Sequence, residues 1–183
     1  MASPEQEEAN PEIDLEMLTA EELQEMELDR LDEIFSKAQA PDPEQLRGTF
    51  RGLALASPVH DYVPKALRKV WALYASSPLF MWKGKEFEMD EEQNCLGGRN
   101  LFVSLNSPIK LFKFTTRTEP SEYDSGDCLV LDYDLDKNPL PIRKVRDELR
   151  RVNPNLYLGR GNLMIGEEPR FAFYFTLEPE LSV

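Results

Sequence analysis

The most constraining feature of this sequence is a strand-like segment near its end, Arg170-Phe-Ala-Phe-Tyr-Phe-Thr-Leu177. Side chains alternate between the two faces of a strand, and in this segment both faces are apolar. Such a strand has to be covered on both sides or to close a barrel. We therefore predict that one face of this segment meets a barrel interior and that the other face meets a helix.

Six further segments have the composition of strands and are joined mostly by short links that carry turn residues. They are Arg47–Ala56, Met81–Met89, Cys95–Leu105, Ile109–Thr118, Asp127–Asp134 and Leu156–Ile165. Together with the closing segment they form a meander of about seven strands, which is too long for a flat exposed sheet. The predicted fold class is α+β, with an antiparallel β-barrel or strongly curled sheet and flanking helices.

Three segments have the periodicity of helices. The first begins at Thr19, where Glu22 completes a capping box, and runs to about Ala38. The second is Tyr62–Ser77 and the third is Pro139–Val152. We therefore predict three regions along the chain. They are a disordered acidic N-terminus (1–17), an acidic amphipathic helix (18–40) and a β-barrel-like domain (41–183).

The charge of the chain is concentrated at its start. The net charge is −13, yet residues 1–33 contain thirteen acidic residues and one basic residue, Arg30, so the remainder is nearly neutral. An acidic arm disfavours nucleic acid and favours a basic protein as the partner of the N-terminal helix. No apolar run reaches the roughly 18 residues of a membrane span, and the start has no secretory signal. We therefore predict no transmembrane segment and a cytoplasmic location, with reduced thiols.

The candidate ligand contacts are polar side chains that share a strand face with apolar ones. A mostly apolar cavity with a few convergent donors is typical of ligand sites. The predicted ligand-binding residues are Lys85, Arg99, Tyr133, Arg160 and Tyr174. Such donors suit a carboxylate or phosphate, so the predicted ligand is a small amphipathic or lipid-like anionic molecule in the barrel interior. The alternative is that these side chains stand at strand ends and reach into solvent.

The sequence contains no catalytic or metal-binding motif. The acidic run Asp132–Asn138 lacks the glycine of a calcium loop, whose twelfth position is occupied by Arg143. One histidine and two separated cysteines are too few for a zinc site. We therefore expect no metal and no cofactor, assign no catalytic residue, leave enzymatic activity open and favour a binding function. Two alternatives remain: an interaction module that uses the acidic helix, or a cofactor-free isomerase or cyclase acting on an apolar substrate.

The order of parts from about residue 47 to residue 178 resembles small barrels of the lipocalin and fatty-acid-binding type, the calycins. The segments Trp82-Lys-Gly-Lys-Glu-Phe87, Asn155-Leu-Tyr-Leu-Gly-Arg160 and Phe173-Tyr-Phe-Thr-Leu177 are also similar to small uncharacterised bacterial proteins. Those proteins imply a barrel layout and no known activity. The chain departs from lipocalins in the helix predicted at 139–152 and in lacking a Gly-x-Trp motif near the first strand.

Overall fold

The computed structural model of the protein describes residues 13–55, 82–91, 95–105 and 107–180. Eight strands form most of this structure: β1 Gly48–Ala54, β2 Trp82–Asp90, β3 Cys95–Phe102, β4 Ile109–Pro120, β5 Asp127–Asp132, β6 Val145–Asn153, β7 Leu156–Ile165 and β8 Glu168–Pro179. Two short helices precede them, α1 Ala20–Gln24 and α2 Leu28–Lys37. Single 3₁₀ turns occur at Leu15–Met17, Pro43–Gln45 and Ile142–Lys144. The helix predicted at Tyr62–Ser77 lies outside the described residues.

The strands form a closed antiparallel barrel in which each strand pairs with the next one along the chain. The barrel closes where β8 returns to β1, from Phe50 opposite Pro179 to Ala54 opposite Phe175. The predicted antiparallel barrel with flanking helices is thus confirmed, with eight strands instead of about seven.

The extra strand is β6, in the segment for which the sequence predicted a helix, and that prediction is wrong. Residues Ile142–Lys144 form one 3₁₀ turn, and the chain then pairs with β5 and β7 from Val145 onward. The spacing of the apolar residues fits a helix, but alternation also fits, since Asp147 and Leu149 face inward while Glu148 and Arg150 face outward. The buried partners of Asp147 and Arg150 are described below. They favour a strand in a segment whose helix propensity alone would favour a helix.

The N-terminal helices are anchored on the outside of the barrel. Thr19 and Glu22 form the predicted capping box at the start of α1. The single helix predicted over this region is interrupted between Gln24 and Leu28, where Glu27 has an extended backbone. The interruption lets both pieces follow the curved barrel wall. Within the described ranges, no helix is long and apolar enough to cross a membrane.

The apolar side chains form two clusters, one on each side of the barrel wall. The interior cluster contains Phe50, Phe87, Phe114, Leu131 and Phe175, among others. The outer cluster joins α1 and α2 to the outer face of β6, β7 and β8, and its members include Leu23, Phe35, Val152, Leu158 and Tyr174. Strand β8 contributes to both clusters, which confirms that one of its faces meets the interior and the other a helix.

The two ends of the barrel differ in how deeply their apolar side chains are buried. At the end where β1 begins, Leu46 is fully buried against the interior cluster. At the end where β1 finishes and β2 begins, the apolar side chains packed against that cluster are only partly buried. They are Trp82, Phe112, Ile142, Val145 and Phe173. We call this the partly exposed end.

Arg150 fastens α2 to the barrel. Its side chain is 2% exposed and forms a bidentate pair with Asp124 at 2.6 and 2.7 Å. It also donates to the carbonyl oxygens of Phe35 in α2, of Gly126 in the turn before β5 and of Asp127 at the start of β5. The pair with Arg150 lowers the pKa of the Asp124 carboxyl. One buried guanidinium thus connects a helix, a turn and a strand.

We expect Arg150→Met to lower the free energy of unfolding by about 3 kcal/mol, because it leaves three carbonyl oxygens and a carboxylate without their donor. Arg170, whose pair with Glu168 is exposed, is the matched control. We expect Arg170→Met to change stability by no more than about 1 kcal/mol. Urea denaturation measures both, and equal losses would contradict the assigned role of Arg150.

Candidate functional site

The interior contains one buried polar network, centred on Lys85. Its Nζ donates to Asn100 Oδ1 at 2.9 Å, to the Tyr133 hydroxyl at 2.5 Å and to Asp147 Oδ2 at 3.0 Å. The Tyr133 hydroxyl in turn lies 3.2 Å from Asp147 Oδ2. Trp82 Nε1 donates to Asn100 Oδ1 at 3.0 Å. We call Lys85, Asn100, Tyr133 and Asp147 the lysine network.

The barrel positions these side chains from four separate places. Lys85 lies on β2 and Asn100 is its direct partner on β3. Tyr133 directly follows β5, and Asp147 lies on β6. Since β2 and β6 are not neighbours, Lys85 and Asp147 meet across the interior. All four residues lie toward the partly exposed end.

Lys85 is enclosed by aromatic rings as well as by polar groups. Its Nζ lies 5.0 Å from the ring centre of Phe175, 5.2 Å from Tyr133, 5.4 Å from Phe114 and 5.6 Å from Trp82. The lysine is 3% exposed and Asp147 is 2% exposed. Burial lowers the pKa of Lys85, and the nearby Asp147 carboxylate opposes that shift only in part. A lysine of this kind holds its proton less firmly than one in water.

One acceptor of the network is unused among the described residues. Asp147 Oδ1 is buried and has no hydrogen-bond partner there, whereas Oδ2 accepts from Lys85. Buried carboxylate oxygens nearly always have a partner, and an exception indicates water or a ligand group. The network therefore has one position for an additional donor.

The structure brings together only two of the five residues predicted to bind the ligand. Lys85 and Tyr133 face the interior and touch each other, as the alternation along their strands predicts. Arg99, Arg160 and Tyr174 do not line the interior.

Arg99 lies on the outside of the barrel, where it pairs with Glu88 at 3.0 Å. It borders a polar surface cavity of about 330 Å³ that Lys113 and Lys137 also line. Arg99 and Asn100 are neighbours on β3, so regular strand alternation points Arg99 outward and Asn100 into the lysine network.

Arg160 and Tyr174 lie on the outer face of β7 and β8. The Arg160 guanidinium stacks on the rings of Tyr123 and Phe171, at 4.8 and 4.5 Å. Tyr174 packs on Phe35 of α2 and hydrogen-bonds Asp32 Oδ1. Burial and the Asp32 carboxylate raise the pKa of Tyr174. Tyr174 thus holds α2 against the barrel, and Arg160 packs among aromatic rings on the same outer face.

Sequence reasoning missed Asn100 and Asp147. Asp147 lies in the segment that was predicted as a helix and that forms β6. The signal that would have found it is its alternation with Val145 and Leu149 once the segment is treated as a strand. Asn100 lies beside Arg99 on β3, and the prediction that Arg99 lines the interior placed Asn100 on the opposite face.

Neither metal ligation nor a reactive thiol is apparent in the part of the chain that the structure describes. That part contains no group of three or more His, Cys, Asp and Glu side chains arranged to hold a metal ion. Cys128 is buried, and burial raises the pKa of its thiol to about 12, which makes it a poor nucleophile. Among the described residues, the reactive groups of the lysine network are an amine, a carboxyl and a phenol.

The fold and this interior define a class: an eight-stranded up-and-down β-barrel, the layout of lipocalins. This agrees with the predicted calycin-type layout. Among solved structures, a protein from Thermomonospora curvata aligns with a TM-score of 0.54 and 17% sequence identity, over 86% of this chain and 90% of that chain. The bovine lipocalin allergen Bos d 2 aligns with a TM-score of 0.41 and 12% identity, over 78% of each chain. No protein-family profile and no curated protein matches the chain. At 17% sequence identity, the likeness to the Thermomonospora curvata protein shows a shared fold and nothing about function.

We expect Lys85→Met to destabilise the protein by about 3–5 kcal/mol, because it leaves the Asp147 carboxylate buried without its counter-ion. The double variant Lys85→Met/Asp147→Leu removes both charges and should recover most of that loss. Urea denaturation midpoints at a constant m-value measure the difference. If the double variant is as unstable as the single variant, the loss does not come from an unpaired Asp147 carboxylate, and this interpretation is wrong.

Proposed function

We propose that this protein binds a small amphipathic molecule in the barrel interior, with its polar head group at the lysine network. The observation that carries the proposal is the buried Lys85–Asp147 pair with one unused carboxylate oxygen inside an otherwise largely apolar interior. The interior of a closed eight-stranded barrel has room for a core of side chains or for one small ligand. The apolar part of the ligand would extend toward the partly exposed end of the barrel.

The charges of the network limit the form in which a ligand can bind. Lys85 is already neutralised by Asp147, so an incoming carboxylate would add a net negative charge to a buried site. A carboxylic acid that keeps its proton adds no charge, and its hydroxyl can donate to Asp147 Oδ1. The lipid-like anion that the sequence predicts would therefore bind together with a proton.

This proposal has a test in the pH dependence of binding. We expect the apparent affinity for octanoate to fall about tenfold per pH unit above the ordinary pKa of a carboxylic acid, because one proton is taken up on binding. The affinity for 1-octanol should stay constant over the same range, as long as Lys85 and Asp147 keep their shared charge state. Isothermal titration calorimetry in buffers of different ionisation enthalpy measures both the affinity and the proton uptake.

Two variants separate the network from the rest of the barrel. Lys85→Met/Asp147→Leu should weaken 1-octanol binding by about tenfold or more, since the head group loses its hydrogen-bond partners. Lys110→Met is the matched control, because Lys110 also pairs with a carboxylate, that of Glu86, but does so on the outer surface. If neither probe binds the wild-type protein, the proposed function is wrong.

A further inference from the structure

The amine of Lys85 is placed to do more than attract a head group. Its three hydrogen-bond partners include one carboxylate and one phenol, at 3.0 and 2.5 Å. The carboxylate can accept a proton from the amine, and the phenol can pass a proton to and from an oxygen atom nearby. Aromatic rings surround the amine, and its side chain is 3% exposed. An amine with a proton acceptor, a proton donor and little surrounding water is suited to covalent bond formation with a carbonyl group.

We propose that Lys85 binds an aldehyde or ketone ligand through a reversible imine, with Asp147 and Tyr133 managing the protons. This inference rests on the proposed function and specifies the chemical class of the head group. The charge balance of the interior supports this proposal, because an uncharged carbonyl compound adds no net charge to the buried Lys85–Asp147 pair. The lowered pKa of Lys85 agrees with it, since the uncharged amine is the nucleophile.

The steps balance without any oxidant or reductant. Lys85 first transfers a proton to Asp147, and both groups become neutral. The nitrogen lone pair then attacks the carbonyl carbon, and the C=O electron pair moves to oxygen. The Tyr133 hydroxyl gives its proton to that oxygen and receives one from the nitrogen, which yields a carbinolamine.

Asp147 then returns its proton to the carbinolamine hydroxyl. The C–O bond breaks, one water molecule leaves, and the nitrogen lone pair forms the C=N bond. The product is a protonated imine beside the Asp147 carboxylate. Its single positive charge replaces that of the original ammonium group, so the interior has the same net charge before and after the reaction.

Reductive trapping tests the proposal on the full-length protein. The protein is incubated near neutral pH with octanal below one equivalent and with sodium cyanoborohydride, and the adduct is then located by peptide mass mapping. We expect one adduct, with the mass of octanal less one oxygen atom, at Lys85. Conversion at Lys85 should exceed that at the exposed, carboxylate-paired Lys110 by about tenfold or more, since a lower amine pKa increases the uncharged fraction.

Substitutions then assign the adduct to the Lys85 amine. Lys85→Arg keeps a positive charge but has no amine nucleophile, so the octanal adduct should be lost. Lys110→Arg should leave the Lys85 adduct unchanged. If Lys85→Arg does not fold, the mapping on the wild-type protein decides by itself.

The possible results distinguish this inference from the function on which it rests. Octanal that reacts evenly with surface lysines, in a protein that binds 1-octanol, would overturn the imine and leave the binding function intact. A protein that binds none of octanal, octanoate and 1-octanol would overturn both. An adduct confined to Lys85 supports both.

Discussion

Closure of the ladder between β1 and β8 is the constraint on which the interior of this protein depends. The register from Phe50–Pro179 to Ala54–Phe175 gives each of the eight strands two neighbours and thereby separates an inside from solvent. Lys85 and Asp147 lie on non-neighbouring strands and meet only because the sheet closes. In an open sheet the same two residues would form at most a weak surface ion pair, whereas inside the barrel their interaction is strong and their separation costly.

The fold was largely predictable because its strands carry a strong local signal. Alternation, short turns and a final strand that is apolar on both faces were sufficient to predict an antiparallel barrel with helices outside. The error at β6 has a physical cause. Its sequence is rich in Arg, Asp and Glu, which favour helices and solvent, and only tertiary partners such as Asp124 for Arg150 and Lys85 for Asp147 make a buried strand possible.

The candidate site was less predictable than the fold. Alternation shows which residues share a strand face, and it placed Lys85 and Tyr133 together correctly. It does not show which of two apolar faces is the interior. On β7 and β8 both faces are buried, one by the barrel core and one by α1 and α2, so Arg160 and Tyr174 occupy the helix-covered side. The other half of the network, Asn100 and Asp147, depends on which face of β3 is the interior and on a strand that only the tertiary structure reveals.

Stability alone is a weak reason for a barrel to retain the lysine network. A well-packed apolar pair in place of a buried ion pair is often as stable or more stable, and the proposed ligand offers a reason for the presence of Lys85 and Asp147. Asp147 Oδ1, which has no partner among the described residues, points in the same direction. The candidate head groups can then be ranked by the net charge that each would add to the buried Lys85–Asp147 pair. A bare carboxylate is disfavoured, a protonated acid or an alcohol is tolerated, and a carbonyl group that condenses with Lys85 preserves the charge of the pair while it gains a covalent bond. In the proposed function, the interaction that makes the interior costly to build would also select the ligand.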